Sequence, residues 1–197
     1  FDDALKTLQK ASIEVQQMPN GSISNRLRFL VELNIGNIHY YKNELAESIN
    51  AYDKAQKIVD HRQSRDPFNA LSVRINRTAF EQIVGRWSDL SNSYQDVFER
   101  AERLGNKLEQ ARVQLNWGVF HLHKGDYVTA QLKLDEAFAL ADKNNINIVV
   151  IPCRTYLAEL YVQRGDLTLS QNELHEALRL IETKNNFVIY LPHAQYV

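Results

Sequence analysis

The sequence is poor in everything that interrupts or staples a fold. Seven glycines and four prolines are all that break 197 residues. Turns and bulges depend on those two residues, so their scarcity favours helices over a sheet-rich architecture. The lone cysteine, Cys153, excludes an internal disulfide and points to a reducing, cytoplasmic setting. No apolar run approaches the ~18 residues of a membrane-spanning helix. Neither sign of charge dominates: 23 basic against 24 acidic residues leave a formal net charge of −1. That balance lacks the basic face that holds nucleic acid and gives no attraction to an anionic membrane surface. A glycine-rich phosphate loop, an HExxH pair, a CxxC pair and a nucleophile elbow are all missing. The expectation is a chain without catalytic residues, cofactor or metal.

What is present is a beat. Ala11, Ala55, Val97, Ala137 and Ala177 recur at intervals of 44, 42, 40 and 40 residues. Asn43, Gly85, Gly125 and Gly165 keep the same spacing. Self-similarity at ~40 residues is the signature of a stacked solenoid, an architecture that binds partners far more often than it does chemistry. Each unit reads as two amphipathic helices, A then B, joined by a tight turn. The Asn/Gly column supplies the left-handed residue that ends helix A. Glu44, Arg86, Asp126 and Asp166 then open helix B, followed by Leu45, Trp87, Tyr127 and Leu167. A small-residue column on helix A (Gly36, Thr78, Gly118, Ala158) faces a large-residue column on helix B (Tyr52, Tyr94, Leu134, Leu174). Glycine inside a helix costs roughly 1 kcal/mol against alanine, so its recurrence there implies close packing.

The expected fold is all-α, an α-solenoid of antiparallel helix pairs in a single array over 1–197. Its units are a partial one at 1–17, then 23–60, 66–103, 106–142, 148–183, and a partial one at 188–197. Within them, helices are expected near 23–42, 45–60, 67–84, 87–103, 106–124, 127–142, 148–164 and 167–183. Asp66-Pro67 reads as an N-cap followed by proline at the first helical position. Pro152 and Pro192 lie 40 apart; because proline suits a first turn, helices there are expected to begin late. Lys143-Asn144-Asn145 and Lys184-Asn185-Asn186 read as polar turns one repeat apart.

The stretches Gly36-Asn37-Ile38-His39-Tyr40-Tyr41 with Tyr52-Asp53-Lys54-Ala55, Lys124-Gly125-Asp126-Tyr127 with Ala130 and Ala137, and Leu157-Ala158-Glu159-Leu160-Tyr161 with Arg164-Gly165-Asp166-Leu167 and Ala177 resemble tetratricopeptide repeats. The usual unit of that family is ~34 residues. The longer unit here resembles arrays of MalT-like transcription activators, kinesin light chains, the Pins/LGN scaffolds and bacterial peptide-pheromone receptors. The likeness spans essentially the whole chain and is weakest at Arg77-Thr78-Ala79-Phe80-Glu81. It implies a right-handed superhelix with a concave groove lined by the A helices.

Asn34, Asn76 and Asn116 lie 42 and 40 residues apart, with Tyr156 next in the column. In the resembling arrays this place faces the groove, where an amide offers one acceptor and two donors to the backbone of an extended peptide. The bland alternative is an Asn that only solvates a helix face. Asn37, Tyr41, Arg112, His123 and Glu159 are expected on the same face, together with Tyr40, Val119 and Gln163. Aromatics and arginine there make good anchors, although packing between repeats accounts equally for Tyr40. Arg74 and Arg154 would hold an acidic group or remain solvated. His39 and His121 occupy equivalent places and read as core or groove histidines. Cys153 reads as a structural thiol.

The first helix lacks an A partner and the last segment, with Val188, Ile189, Tyr190 and Leu191, lacks a B partner. The chain also opens Phe1-Asp2-Asp3 without a starting methionine. It is expected to be a piece of a longer protein, or to pair with a second copy through its uncapped ends. The functional expectation is a peptide- or protein-binding scaffold or sensor in signalling. The alternatives are the ligand-sensing array of a MalT-like ATPase and transcription regulator, or an array attached to a catalytic domain. Replacing Asn76 and Asn116 by alanine is expected to weaken ligand capture without lowering stability.

Overall fold

A computed structural model describes residues 1–60 and 67–184. Among them the regular structure is entirely helical: α1 (Asp2–Gln17), α2 (Ser22–Tyr41), α3 (Leu45–Asp60), α4 (Pro67–Ile83), α5 (Leu90–Arg103), α6 (Lys107–His123), α7 (Tyr127–Lys143), α8 (Asn147–Arg164) and α9 (Leu167–Lys184). The chain divides into two compact units, residues 1–93 and 94 onward. The division falls inside α5.

All four A-to-B turns close in the same way. Asn43, Gly85, Gly125 and Gly165 carry φ of 60°, 75°, 77° and 80°, the left-handed region that glycine and asparagine enter at least cost. The amide of the next residue reaches back across the turn: Glu44 to the His39 carbonyl at 2.9 Å, Arg86 to Glu81 at 2.9 Å, Asp126 to His121 at 3.0 Å, and Asp166 to Tyr161 at 2.8 Å. The left-handed residue itself donates to Tyr40, Gln82, Leu122 and Val162 respectively. These two nested bonds form the Schellman closure, which satisfies carbonyls a helix end would otherwise leave open.

In the first unit, consecutive helices from α1 to α4 pack pairwise, and α2 also touches α4. Phe29, Ala55, Val59 and Val73 make its core, with Leu33, Ile58 and Ala70 against them. Gly36 sits where a Cβ would lie 2.5 and 2.6 Å from the Tyr52 ring, so the small-against-large columns of the sequence are a real contact. Arg28 ties α1 to α2: its guanidinium donates to the Val15 carbonyl at 3.0 Å, the Met18 carbonyl at 2.7 Å and Asn20 Oδ1 at 2.7 Å.

In the second unit, α6, α7 and α8 share a core that includes Leu115, Leu122, Leu134, Ala137, Val149 and Leu157. Ile151 and Ile181 extend it to α9. Gly118 approaches Leu134 as Gly36 approaches Tyr52, with Leu134 Cγ at 2.8 Å from a built Cβ. Ala55, Val97, Ala137 and Ala177 of the alanine column are all buried.

Three expectations change. α5 begins at Leu90, not near 87. Asp89 adopts φ 60° and Trp87 Nε1 donates to the Gln82 carbonyl at 2.7 Å, so Arg86–Asp89 forms a longer turn. Pro152 lies inside α8 rather than in its first turn, and the helix runs through it. Val119, expected on the groove face, is buried in the second unit's core. The Asp66 cap, Asn185-Asn186 of the second polar turn, and residues 188–197 with Pro192 lie outside the described residues.

Candidate functional site: the A-helix faces

In the first unit, the amides expected to meet a ligand are largely committed to the protein. Asn76 of α4 is buried and its Nδ2 donates to Asn37 Oδ1 on α2 at 3.0 Å. The same Asn37 oxygen accepts from the Tyr52 hydroxyl on α3 at 2.9 Å. The structure thus brings Asn37 and Asn76 together as a three-helix tie. A buried amide in such a tie contributes to stability, which corrects the expectation that alanine at Asn76 leaves stability unchanged. Asn34 is exposed, but its Nδ2 donates to the Leu30 carbonyl of its own helix at 2.7 Å. Tyr41 is exposed, stacked on Phe1 at 6.0 Å and edge-on to Tyr40 at 5.4 Å. Burial, with Tyr41 adding to it, pushes the Tyr40 phenol up to about 12.

The second unit carries the rest. α6 and α8, the A helices of successive units, touch each other. Arg112, Asn116 and His123 follow at i, i+4 and i+11 on α6, one face of a helix. Tyr156 and Glu159 occupy the corresponding stretch of α8. Arg112 forks onto Glu109 at 2.9 and 3.1 Å, so its charge is already matched. Asn116 is half-buried and makes no side-chain hydrogen bond among the described residues. Tyr156 and Glu159 are half-buried, and His123 is exposed. Arg154 pairs with Glu173 at 2.7 Å and lies over the Phe138 ring at 4.6 Å; Arg74 is exposed.

His39 and His121 have a role that residue-by-residue reading missed. His39 Nδ1 bonds Glu44 Oε2 at 2.6 Å, and His121 Nδ1 bonds Asp126 Oδ2 at 3.0 Å. Each clips the end of helix A to the residue opening helix B. The signal was available as the spacing of five residues, His to acid, recurring at one repeat position. Desolvation holds His121 below its ordinary pKa despite Asp126. Asp126 is held low, first by its bond to Thr129 and then by His121. A second missed cluster is aromatic: Tyr94 stacks on Trp117 at 6.2 Å, with Lys133 Nζ 4.5 Å over the Trp117 ring.

Cys153 is fully buried and burial pushes its thiol far up, away from the nucleophilic thiolate. Among the described residues no group of His, Cys, Asp and Glu is placed to hold a metal ion, and no helix is long and apolar enough to cross a membrane.

No protein-family model matches the sequence, and no curated protein matches it significantly. Solved structures do share the fold. A Rap protein complexed with Competence and Sporulation Factor superposes with a TM-score of 0.81 at 14% identity, over 97% of this chain and 51% of that one. BtubC (BKLC) from P. vanneervenii gives 0.65 at 16% identity, over 94% and 75%. A signal transduction ATPase with numerous domains and a tetratricopeptide repeat sensor, from Pyrococcus horikoshii, gives 0.65 at 17% identity, over 98% and 28%. The chain thus spans about half the length of the Rap protein and little more than a quarter of the ATPase. At these identities the likeness establishes the architecture, a tetratricopeptide-like helical solenoid.

Proposed function

We propose that the chain is a binding module, a sensor or scaffold, that takes an extended peptide or protein segment on the α6–α8 face of its second unit. The observation that carries this is Asn116. A half-buried amide with no internal bond, on the α6 face that also carries Arg112 and His123, offers the donor and acceptor that an extended backbone needs. The Rap protein superposing at 0.81 is itself complexed with a factor, which supports the class of activity. The ATPase whose repeats are described as a sensor supports the runner-up, a ligand-sensing array of a larger regulator.

The test is a display library of unstructured ten-residue peptides, followed by fluorescence anisotropy on the strongest binder. Asn116→Ala removes about two neutral hydrogen bonds of ~0.5–1.5 kcal/mol each. The expected loss is about tenfold in affinity, with an unchanged melting temperature. Equal affinity for the variant and the parent would refute the clamp.

A further inference from the structure

The connection between α1 and α2 carries the single Asn-Gly step of the sequence, Asn20-Gly21. Asparagine is chemically labile because its side-chain carbonyl lies within reach of the next residue's main-chain nitrogen. The side chain of that next residue hinders the attack, and glycine has none. Both residues are exposed. Gly21 is extended, with φ −174°, and its N–H makes no hydrogen bond among the described residues. The backbone on either side of Asn20 is tied down. Ser24, itself buried, donates to the Pro19 carbonyl at 2.7 Å and to the Gly21 carbonyl at 3.1 Å. The nitrogen that would attack is therefore free on a connection that is otherwise held.

Arg28 adds the electrostatics. Its Nη1 donates at 2.7 Å to Asn20 Oδ1, the oxygen that takes up negative charge when Cγ is attacked. Its Nε and Nη2 are fixed on the Val15 and Met18 carbonyls, so the guanidinium is in place before any reaction. A cation held on a developing oxyanion lowers the barrier. Among the described residues no carboxylate pairs with Arg28, and Asn20 Nδ2, the leaving group, makes no hydrogen bond. We infer that Asn20 is a self-modification site, at which this turn converts its own amide into the carboxylate that Arg28 lacks. The Gly21 nitrogen bonds Asn20 Cγ and gives up its proton. The Cγ–Nδ2 bond breaks, and Nδ2 leaves as ammonia with that proton, giving a cyclic imide. Water then opens the ring. Cleavage between the nitrogen and Cγ leaves aspartate; cleavage at the main-chain carbonyl leaves isoaspartate. Aspartate supplies Arg28 with a charge-assisted partner beside the start of α2, where the helix dipole favours negative charge. Isoaspartate inserts an extra carbon into the main chain between the two carbonyls that Ser24 bridges.

The intact chain is incubated at mildly alkaline pH and mapped by mass spectrometry, with isoaspartyl methyltransferase reading the isoaspartate. Asn20 is expected to lose its amide ahead of every other asparagine. Removing one oxyanion donor from a closed active site costs about 10²–10³ in rate. At this exposed turn Arg28→Gln should slow the reaction of the native chain about tenfold, and should leave the rate in urea unchanged, because the contact exists only in the fold. A Cβ at Gly21 meets only Ser24 Oγ, at 4.0 Å, so Gly21→Ala should keep the fold and slow the reaction by hindrance. Asn20→Asp, the product made directly, should raise the urea midpoint, and Arg28→Gln should cancel that gain. The inference is overturned by an Arg28→Gln chain that reacts in the native state as fast as the parent or faster, or by one slowed equally in urea. An Asn20→Asp chain no more stable than the parent overturns it as well.

Discussion

Replacing Gly118 by alanine tests whether the recurring glycine exists for packing or is a helix defect that the fold tolerates. A Cβ built there lies 2.8 Å from Leu134 Cγ, 2.9 Å from Cδ2 and 3.1 Å from the Leu134 backbone nitrogen. Leu134 is fully buried and its backbone cannot rotate aside, so relief requires α7 to move away from α6. Overpacking of this kind costs about 1–3 kcal/mol, and the backbone contact puts it in the upper part of that range. Against it stands the better helix propensity of alanine, about 1 kcal/mol. The balance is a loss of about 1–2 kcal/mol, or a fall in melting temperature of roughly 2–8 °C for a chain of this size. Urea denaturation followed by circular dichroism measures it, and a double-mutant cycle with Leu134→Ala assigns it. Leu134→Ala alone should cost about 2–5 kcal/mol; in the Gly118→Ala background it should cost about 1–2 kcal/mol less, because the intruding methyl then has room. A Gly118→Ala chain more stable than the parent, or a cycle in which the two changes simply add, would refute the reasoning.

Asn76→Ala should lower stability by about 1–3 kcal/mol, because it takes one partner from a buried amide pair; an unchanged urea midpoint would show that the bond to Asn37 contributes nothing. Acidification should destabilise the turn before α7 through two groups acting in the same direction. The lowered pKa of Asp126 means the unfolded chain takes that proton first, so the stability it gives is present above the ordinary 3.8 and is lost as pH falls through the lower folded value. The lowered pKa of His121 likewise withdraws stability as pH falls below 6.5. Asp126→Asn, which can still cap α7, should flatten the lower part of the acid limb in melting experiments from pH 6 to pH 3; an unaltered limb would exclude Asp126 as its source.

The solenoid was legible because its punctuation lies in residue types with few other uses. A left-handed helix end demands Gly or Asn, and Asn43, Gly85, Gly125 and Gly165 meet that demand at every turn. Gly36 and Gly118 announced close approach in the same way. The start of α5 was hidden because nothing in Arg86-Trp87-Ser88-Asp89 forbids helix. The indole bond to Gln82 and the left-handed Asp89 are decided by the folded chain. The amide column was visible as spacing, but spacing does not tell an outward amide from one turned onto a neighbour. Asn76 faces Asn37 because α2 and α4 approach, a tertiary fact, whereas Asn116 makes no side-chain hydrogen bond among the described residues.

The uniform closure of the four hairpins has a consequence for how such a chain changes over time. Since the links that end each A helix run from main chain to main chain, the bend itself does not depend on which side chain follows the left-handed residue, even where Glu44 and Asp126 add a clip to a histidine. Glutamate, arginine and aspartate all stand there without altering it. Drift at that place therefore leaves the bend intact and gives up only the clip or cap that the side chain made, so whole hairpins can be duplicated, exchanged or lost as interchangeable parts. What such reshuffling has to preserve is one backbone-permissive residue per bend and the pairing of a small side chain with a large one beneath it.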